Sequence, residues 1–212
     1  MVHVHQAKHA FATLRRMANY YAIAAVTAAL QGLLSSARPP ELSSASIESL
    51  QLPDFQKARP IDEGVAIVLY RVAVSAMPRT LSGRPDADGR RKLPSLPVDL
   101  YYLLSPFGRT AGMQQRLLGW LMRTLEDNTI ITSSELNHFG GPEQVFVDGE
   151  TVSVVPEPLP LQDLTSLWES LRPNAHVSVA YVARLVHLES IRQPVEGALV
   201  QARDFAYAKG PA

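Results

Sequence analysis

Apolar residues recur at three- and four-residue steps after Tyr20: Ile23, Val26, Leu30 and Leu33, with Ala24, Ala25, Ala28 and Ala29 between them. That period predicts a helix, stopped by Ser35-Ser36 and Pro39-Pro40. A serine-rich stretch follows to Ser46, and Ile47 to Leu52 predicts a short strand ended by Pro53. Val65 to Val74 is a near-continuous apolar run rich in β-branched residues, the pattern of a strand covered on both faces. Val98 to Leu104 repeats it and is expected to end at Ser105-Pro106. Between them, Met77 to Pro97 carries prolines, glycines and Arg79, Arg84, Arg90, Arg91 and Lys92, which predicts a long basic loop.

From Thr110 to Glu126 the helical period returns, with Met113, Leu117, Leu121 and Leu125 on one stripe, widened by Leu118 and Trp120. Val145-Phe146-Val147 and Thr151-Val152-Ser153-Val154 flank Asp148-Gly149, a hairpin signal. After Pro156, Pro158 and Pro160, a short amphipathic helix is expected through Leu161, Leu164, Leu167, Trp168 and Leu171. His176 to Leu188 reads as the last strand. Simple alternation puts Val177, Val179, Tyr181 and Leu185 on one face, and Ser178, Val182, Arg184 and Val186 on the other.

The order helix, strand, strand, helix, hairpin, helix, strand does not alternate as a doubly wound fold does. It predicts an α/β protein of the α+β type: one mixed or antiparallel sheet of about four to five strands with helices packed on it. Met17-Ala18-Asn19-Tyr20 reads like a second start. Residues 1–16 are therefore expected to be an extension, residues 17–192 the domain and residues 193–212 a tail.

Composition narrows the function classes. Twenty Lys and Arg balance twenty Asp and Glu, so no net charge draws the chain toward nucleic acid or an anionic membrane. There is no cysteine, which removes disulfides, thiolate metal sites and cysteine nucleophiles. No apolar stretch reaches the roughly 20 residues of a membrane span, and the chain is expected to fold in the cytoplasm.

Catalytic patterns are also missing. The glycines form no phosphate loop or dinucleotide fingerprint, and no Gly-x-Ser-x-Gly elbow occurs. Glu135-Leu136-Asn137-His138 is the nearest acid–base cluster, but it reads as a polar loop and His138 has no second histidine at ligand spacing. His3, His5 and His9 lack a carboxylate partner, while His176 and His187 stand near opposite ends of one strand. Asp99 lies inside an apolar strand and needs a partner, for which Arg71 and Arg184 are the candidates. Tyr101 and Tyr102 point to opposite faces, so one is core and the other is available for contact.

Six segments in order carry a family resemblance: Met17 to Leu30; Leu69-Tyr70-Arg71-Val72 with Met77-Pro78-Arg79; Val98-Asp99-Leu100-Tyr101-Tyr102-Leu103-Leu104 behind Pro94 and Pro97; Gln115 to Gly119 with Met122 to Leu125; Leu164 to Trp168; and Val177 to Tyr181. Together they resemble the cap, or tail-terminator, proteins of extracellular contractile injection systems of the Photorhabdus virulence cassette and antifeeding prophage type. The chain departs from that pattern at Arg79-Thr80 and at Asn128-Thr129-Ile130-Ile131.

The resemblance implies a tail-terminator-like fold and a non-enzymatic cap that closes the distal end of an inner tube and sheath. It implies a ring, expected to be a hexamer, with inner tube and sheath proteins as partners and no cofactor, metal, nucleic acid or membrane. Expected contact residues are Arg79, Arg84, Arg90, Arg91 and Lys92 in the basic loop, Tyr102, and Val147, Asp148, Gly149 and Val152 in the hairpin. The particle could be released from the cell after cytoplasmic assembly. The competing readings are a baseplate or adaptor component, a small hydrolase, and a nucleic-acid binder using the basic loop.

Overall fold

Helix α1 (Ala22–Ser36) is built largely of alanine and leucine, which favours the helix and permits close approach. It buries Ala22, Ala25, Val26, Ala29, Leu30, Leu33 and Leu34 against the sheet and its neighbours. A computed structural model describes residues 19–55, 57, 60–76, 93–141, 144–172, 177–190 and 192. The expected extension at 1–16, the basic-loop residues Arg79, Arg84, Arg90, Arg91 and Lys92, His176 and the tail at 193–212 lie outside them.

After α1 come β1 (Ser46–Ser49), a single turn α2 (Leu52–Phe55), β2 (Gly64–Val74) and β3 (Leu96–Phe107). Then follow α3 (Ala111–Asp127), β4 (Ile130–Thr132), α4 (Ser133–Phe139), β5 (Thr151–Pro156), α5 (Leu161–Ser170) and β6 (Val179–Leu188). The strands form one six-stranded sheet in the order β1-β2-β3-β6-β5-β4. Only the β1–β2 pair is parallel, so the sheet is mixed, as expected, with six strands rather than four to five.

One face of the sheet carries the main core, where α1, α3 and α4 cover Val65, Ile67, Leu100, Tyr102, Leu104, Val152, Val154 and Ala183. The other face holds a smaller cluster of Phe55, Ile61, Ala66, Val68, Leu103 and Leu171. Val65 to Val68 are all buried because both faces are covered there, which is why the sequence shows no alternation. Met113, Leu117, Leu121 and Leu125 of α3 are buried at four-residue spacing, each large side chain contributing about 1.5–3 kcal/mol. Thr110 starts that helix, its hydroxyl accepting from the Met113 N–H at 3.2 Å. Helix α4 lies across α1, and the Phe139 ring occupies the space a Cβ on Gly32 would need.

Several expectations are corrected. Strand β3 runs through Pro106 to Phe107, beyond the expected stop. Its pairing with β6 begins at Leu104, so Pro106 has a sheet neighbour only in β2, opposite Val65, and its missing N–H breaks no central ladder. The predicted hairpin has only one strand, because Val145 and Phe146 are buried outside the ladder and β5 pairs with β4 and β6 instead. The supposed polar loop around Glu135 is α4. Its start was legible as a capping box: the Thr132 hydroxyl accepts from the Glu135 N–H, and the Glu135 carboxylate accepts from the Thr132 N–H at 2.8 Å.

In β6 the simple alternation fails. The register passes from Val98↔Val186 to Leu100↔Ala183, so two residues of β6 face Asp99. Leu185 sits at φ 58 and turns outward, while Val186 joins Tyr181 and Ala183 in the main core.

Candidate assembly surfaces

The two edges of the sheet differ chemically. On β1, Ser46 donates to Glu63 O and Leu50 to Ile67 O, so the carbonyls of Ala45 and Ile47 point away from β2. Both are taken by side chains of the α1 region: Gln31 Nε2 donates to Ile47 O at 2.8 Å, and Arg38 donates to Ala45 O. The two carbonyls are thus closed to an incoming strand. On β4, Val154 N–H donates to Thr129 O at 2.8 Å, which by alternation turns the N–H and C=O of Ile130 to the open side. The Ile130 side chain is 59% exposed, whereas the neighbouring Thr132 N–H is already held by Glu135.

The second surface is the turn before β5. Glu150 N–H donates to Val147 O at 3.0 Å, and Gly149, at φ 90, supplies the left-handed residue. Asp148 and Gly149 are exposed and Val147 is half-buried. Behind the turn, Asn137 Oδ1 accepts from Val145 N and Phe146 N at 2.9 Å each, and its Nδ2 donates to Phe146 O at 2.8 Å. One amide side chain thus replaces the strand partner that residues 145–146 lack. Val152, expected as a contact residue, is only 1% exposed and belongs to the main core.

Tyr102 is the second correction. It is 0% exposed, and its hydroxyl lies 2.9 Å from Thr27 Oγ1 of α1. Burial holds its phenol well above the usual value, the Thr27 hydrogen bond opposing slightly. Tyr101 is the member of the pair on the opposite face, with the Arg71 guanidinium 4.7 Å above its ring. Arg184 is engaged by Glu157 at 3.4 Å. Asp99 therefore pairs with neither arginine: its Oδ1 accepts from the Leu185 N–H at 3.0 Å.

That opposite face also carries an open cleft of about 360 Å³ beneath α5, lined in part by Tyr70, Arg71, Tyr101, Glu157, Asp163 and Leu167. No residue of α5 is fully buried, and Leu161 is 75% exposed. Sequence patterning did not reveal this cleft, because its lining comes from three separate segments.

Glu135, His138 and His187, the acid–base and histidine candidates of the sequence, have structural surroundings. Backbone and side-chain hydrogen bonds from Thr132 hold Glu135 below the usual carboxylate value, as a cap requires. His138 stacks edge-on against Phe139, and His187 Nδ1 lies 3.1 Å from Ser95 Oγ. Among the described residues, no group of three or more His, Cys, Asp or Glu side chains could hold a metal ion. Among those same residues, no helix is long and apolar enough to cross a membrane.

This mixed six-stranded sheet with three helices on one face is similar in fold to solved tube terminators. The likeness extends to the sheath/tube terminator of the PVC extracellular contractile injection system in its extended state, at a TM-score of 0.57 and 17% identity over 89% of this chain. It extends also to the tube-terminating cap of the anti-feeding prophage, at 0.57 and 16% over 86%. The chain matches 64% and 60% of those two chains, less than two thirds of their length. The Pvc16 N-terminal domain family model matches residues 25–202, and the chain belongs to that family. No curated protein matches it significantly.

Proposed function

We propose that this chain is a structural cap subunit that terminates the inner tube and sheath of a phage-tail-like contractile injection particle. The observation that carries the reading is the terminator-like body spanning 89% of the chain, in a chain of the Pvc16 N-terminal domain family. The physical character of the described surface supports it: a six-stranded sheet, one edge with its Ala45 and Ile47 carbonyls covered, one short open edge at Ile130, and a projecting turn at Asp148-Gly149. The subunits form a closed ring, in which one face of each copy meets a different face of the next. Inner tube and sheath proteins are the partners, the particle is assembled in the cytoplasm, and the chain performs no catalysis.

Deleting the gene and imaging particles by cryo-electron microscopy tests this reading. Tubes and sheaths of irregular length, or unstable uncapped particles, are expected; uniform stable particles would refute the cap. Density for a labelled chain at the baseplate instead would favour an adaptor role. The basic loop is a proposed contact, and normally capped particles from a chain lacking residues 84–91 would rule out an essential role for it.

A further inference from the structure

The charges of this neutral chain are segregated. The described residues carry fifteen Asp and Glu against nine Lys and Arg, whereas residues 77–92 carry five basic residues against two acidic ones. An acidic body joined to a basic segment has the complementarity that a head-to-tail ring contact needs. We propose that the cleft beneath α5 receives an arginine of the 77–92 segment from a second copy of this chain. This rests on the ring reading above and names its contact.

The cleft offers what a guanidinium requires. Asp163 has no cationic partner among the described residues, and Glu157 has only its 3.4 Å contact with Arg184. The Tyr70 hydroxyl is shielded from solvent without a hydrogen-bond partner, a cost that an incoming N–H donor would remove. The ring of Tyr70 adds an aromatic wall beside the carboxylates. The Arg71 of the same chain also lines the cleft, with its guanidinium over the Tyr101 ring, but among the described residues it forms no ion pair with Glu157 or Asp163. The α5 hydroxyls are not competitors either: Ser166 bonds to Gln162 O at 3.0 Å and Thr165 to Leu161 O at 2.8 Å. A planar cation with several donors fits such a cleft better than an ammonium does.

The absence of cysteine makes the contact directly testable. Ser166→Cys places a thiol in the cleft wall, and Gly89→Cys places one beside Arg90 and Arg91, without removing a charge. A mixture of the two single variants, treated with a short bismaleimide, should give a mixed dimer on a denaturing gel. Asp163→Lys in the Ser166→Cys chain should lower its yield about tenfold, as should 1 M salt. A chain carrying both cysteines that cross-links only within itself would overturn the proposal in favour of an intramolecular contact. Dimers from Ser166→Cys alone would overturn it in favour of a symmetric α5 contact. Rings visible by electron microscopy without a mixed dimer would sink this contact and leave the ring intact. The lack of any ring, free or on particles, would remove both.

Discussion

Asp99 Oδ1 accepts a hydrogen bond from the Leu185 N–H at 3.0 Å, across the point where β6 holds two residues against one of β3. Leu185 is the only non-glycine residue with positive φ among the described residues, at 58°. The carboxylate thus takes up the donor that the bulge removes from the ladder, and the bulge lets Val186 reach the core.

Replacing Asp99 by alanine should cost about 1 kcal/mol, because the Leu185 N–H loses its acceptor at a partly exposed site. Asp99→Asn keeps a carbonyl acceptor and should cost less. Leu185→Gly relieves the left-handed backbone, which costs roughly 1 kcal/mol for a non-glycine residue, and should recover most of the loss in the alanine background. Urea midpoints of the four chains measure this; an Asp99→Asn chain as unstable as Asp99→Ala would mean that the negative charge, not the acceptor, matters.

Tyr102 separates core from interface. Tyr102→Phe should lower stability by about 1 kcal/mol through the lost Thr27 contact, and Tyr102→Ala by about 3–5 kcal/mol. Neither should change oligomer assembly at temperatures where the chain remains folded. A folded Tyr102→Phe chain with impaired assembly would contradict the core assignment.

Asn137 carries three hydrogen bonds to residues 145 and 146. Asn137→Ala should cost about 2–3 kcal/mol, since buried backbone groups are left unsatisfied. Hydrogen exchange should show protection lost first at Val145 and Phe146. Uniform loss across the sheet would mean that the side chain holds the whole fold rather than this segment.

Glu135 predicts a pH dependence. Its carboxyl is held below its unfolded value by the Thr132 backbone and side-chain hydrogen bonds, so the contribution is fully present above the unfolded pKa. It is lost as pH falls through the folded value. Glu135→Gln can still fill the capping box without titrating. The stability difference between the two chains should therefore shrink on moving from pH 7 toward pH 3; a constant difference would sever the cap from the titration.

Local pattern determined much of this protein. The four-residue stripe of α3, the alanine-rich α1 and the doubly covered runs in β2 and β3 follow from short-range spacing, because one element's buried face is written in its own residues. The Thr132–Glu135 capping box is equally local, a Thr-x-x-Glu spacing at the start of α4. Alternation alone could not show that Leu185 leaves the face its neighbours share, since a bulge is set by the opposing strand and Asp99 stands 86 positions earlier. Nor could it decide which tyrosine is core: α1 covers one face of β3 with Thr27, and that placed Tyr102 inside and left Tyr101 to Arg71. The covered carbonyls at the β1 edge and the cleft under α5 were likewise decided by tertiary structure. Each joins groups distant in sequence, and hydrogen bonds of that kind leave no periodic trace along the chain.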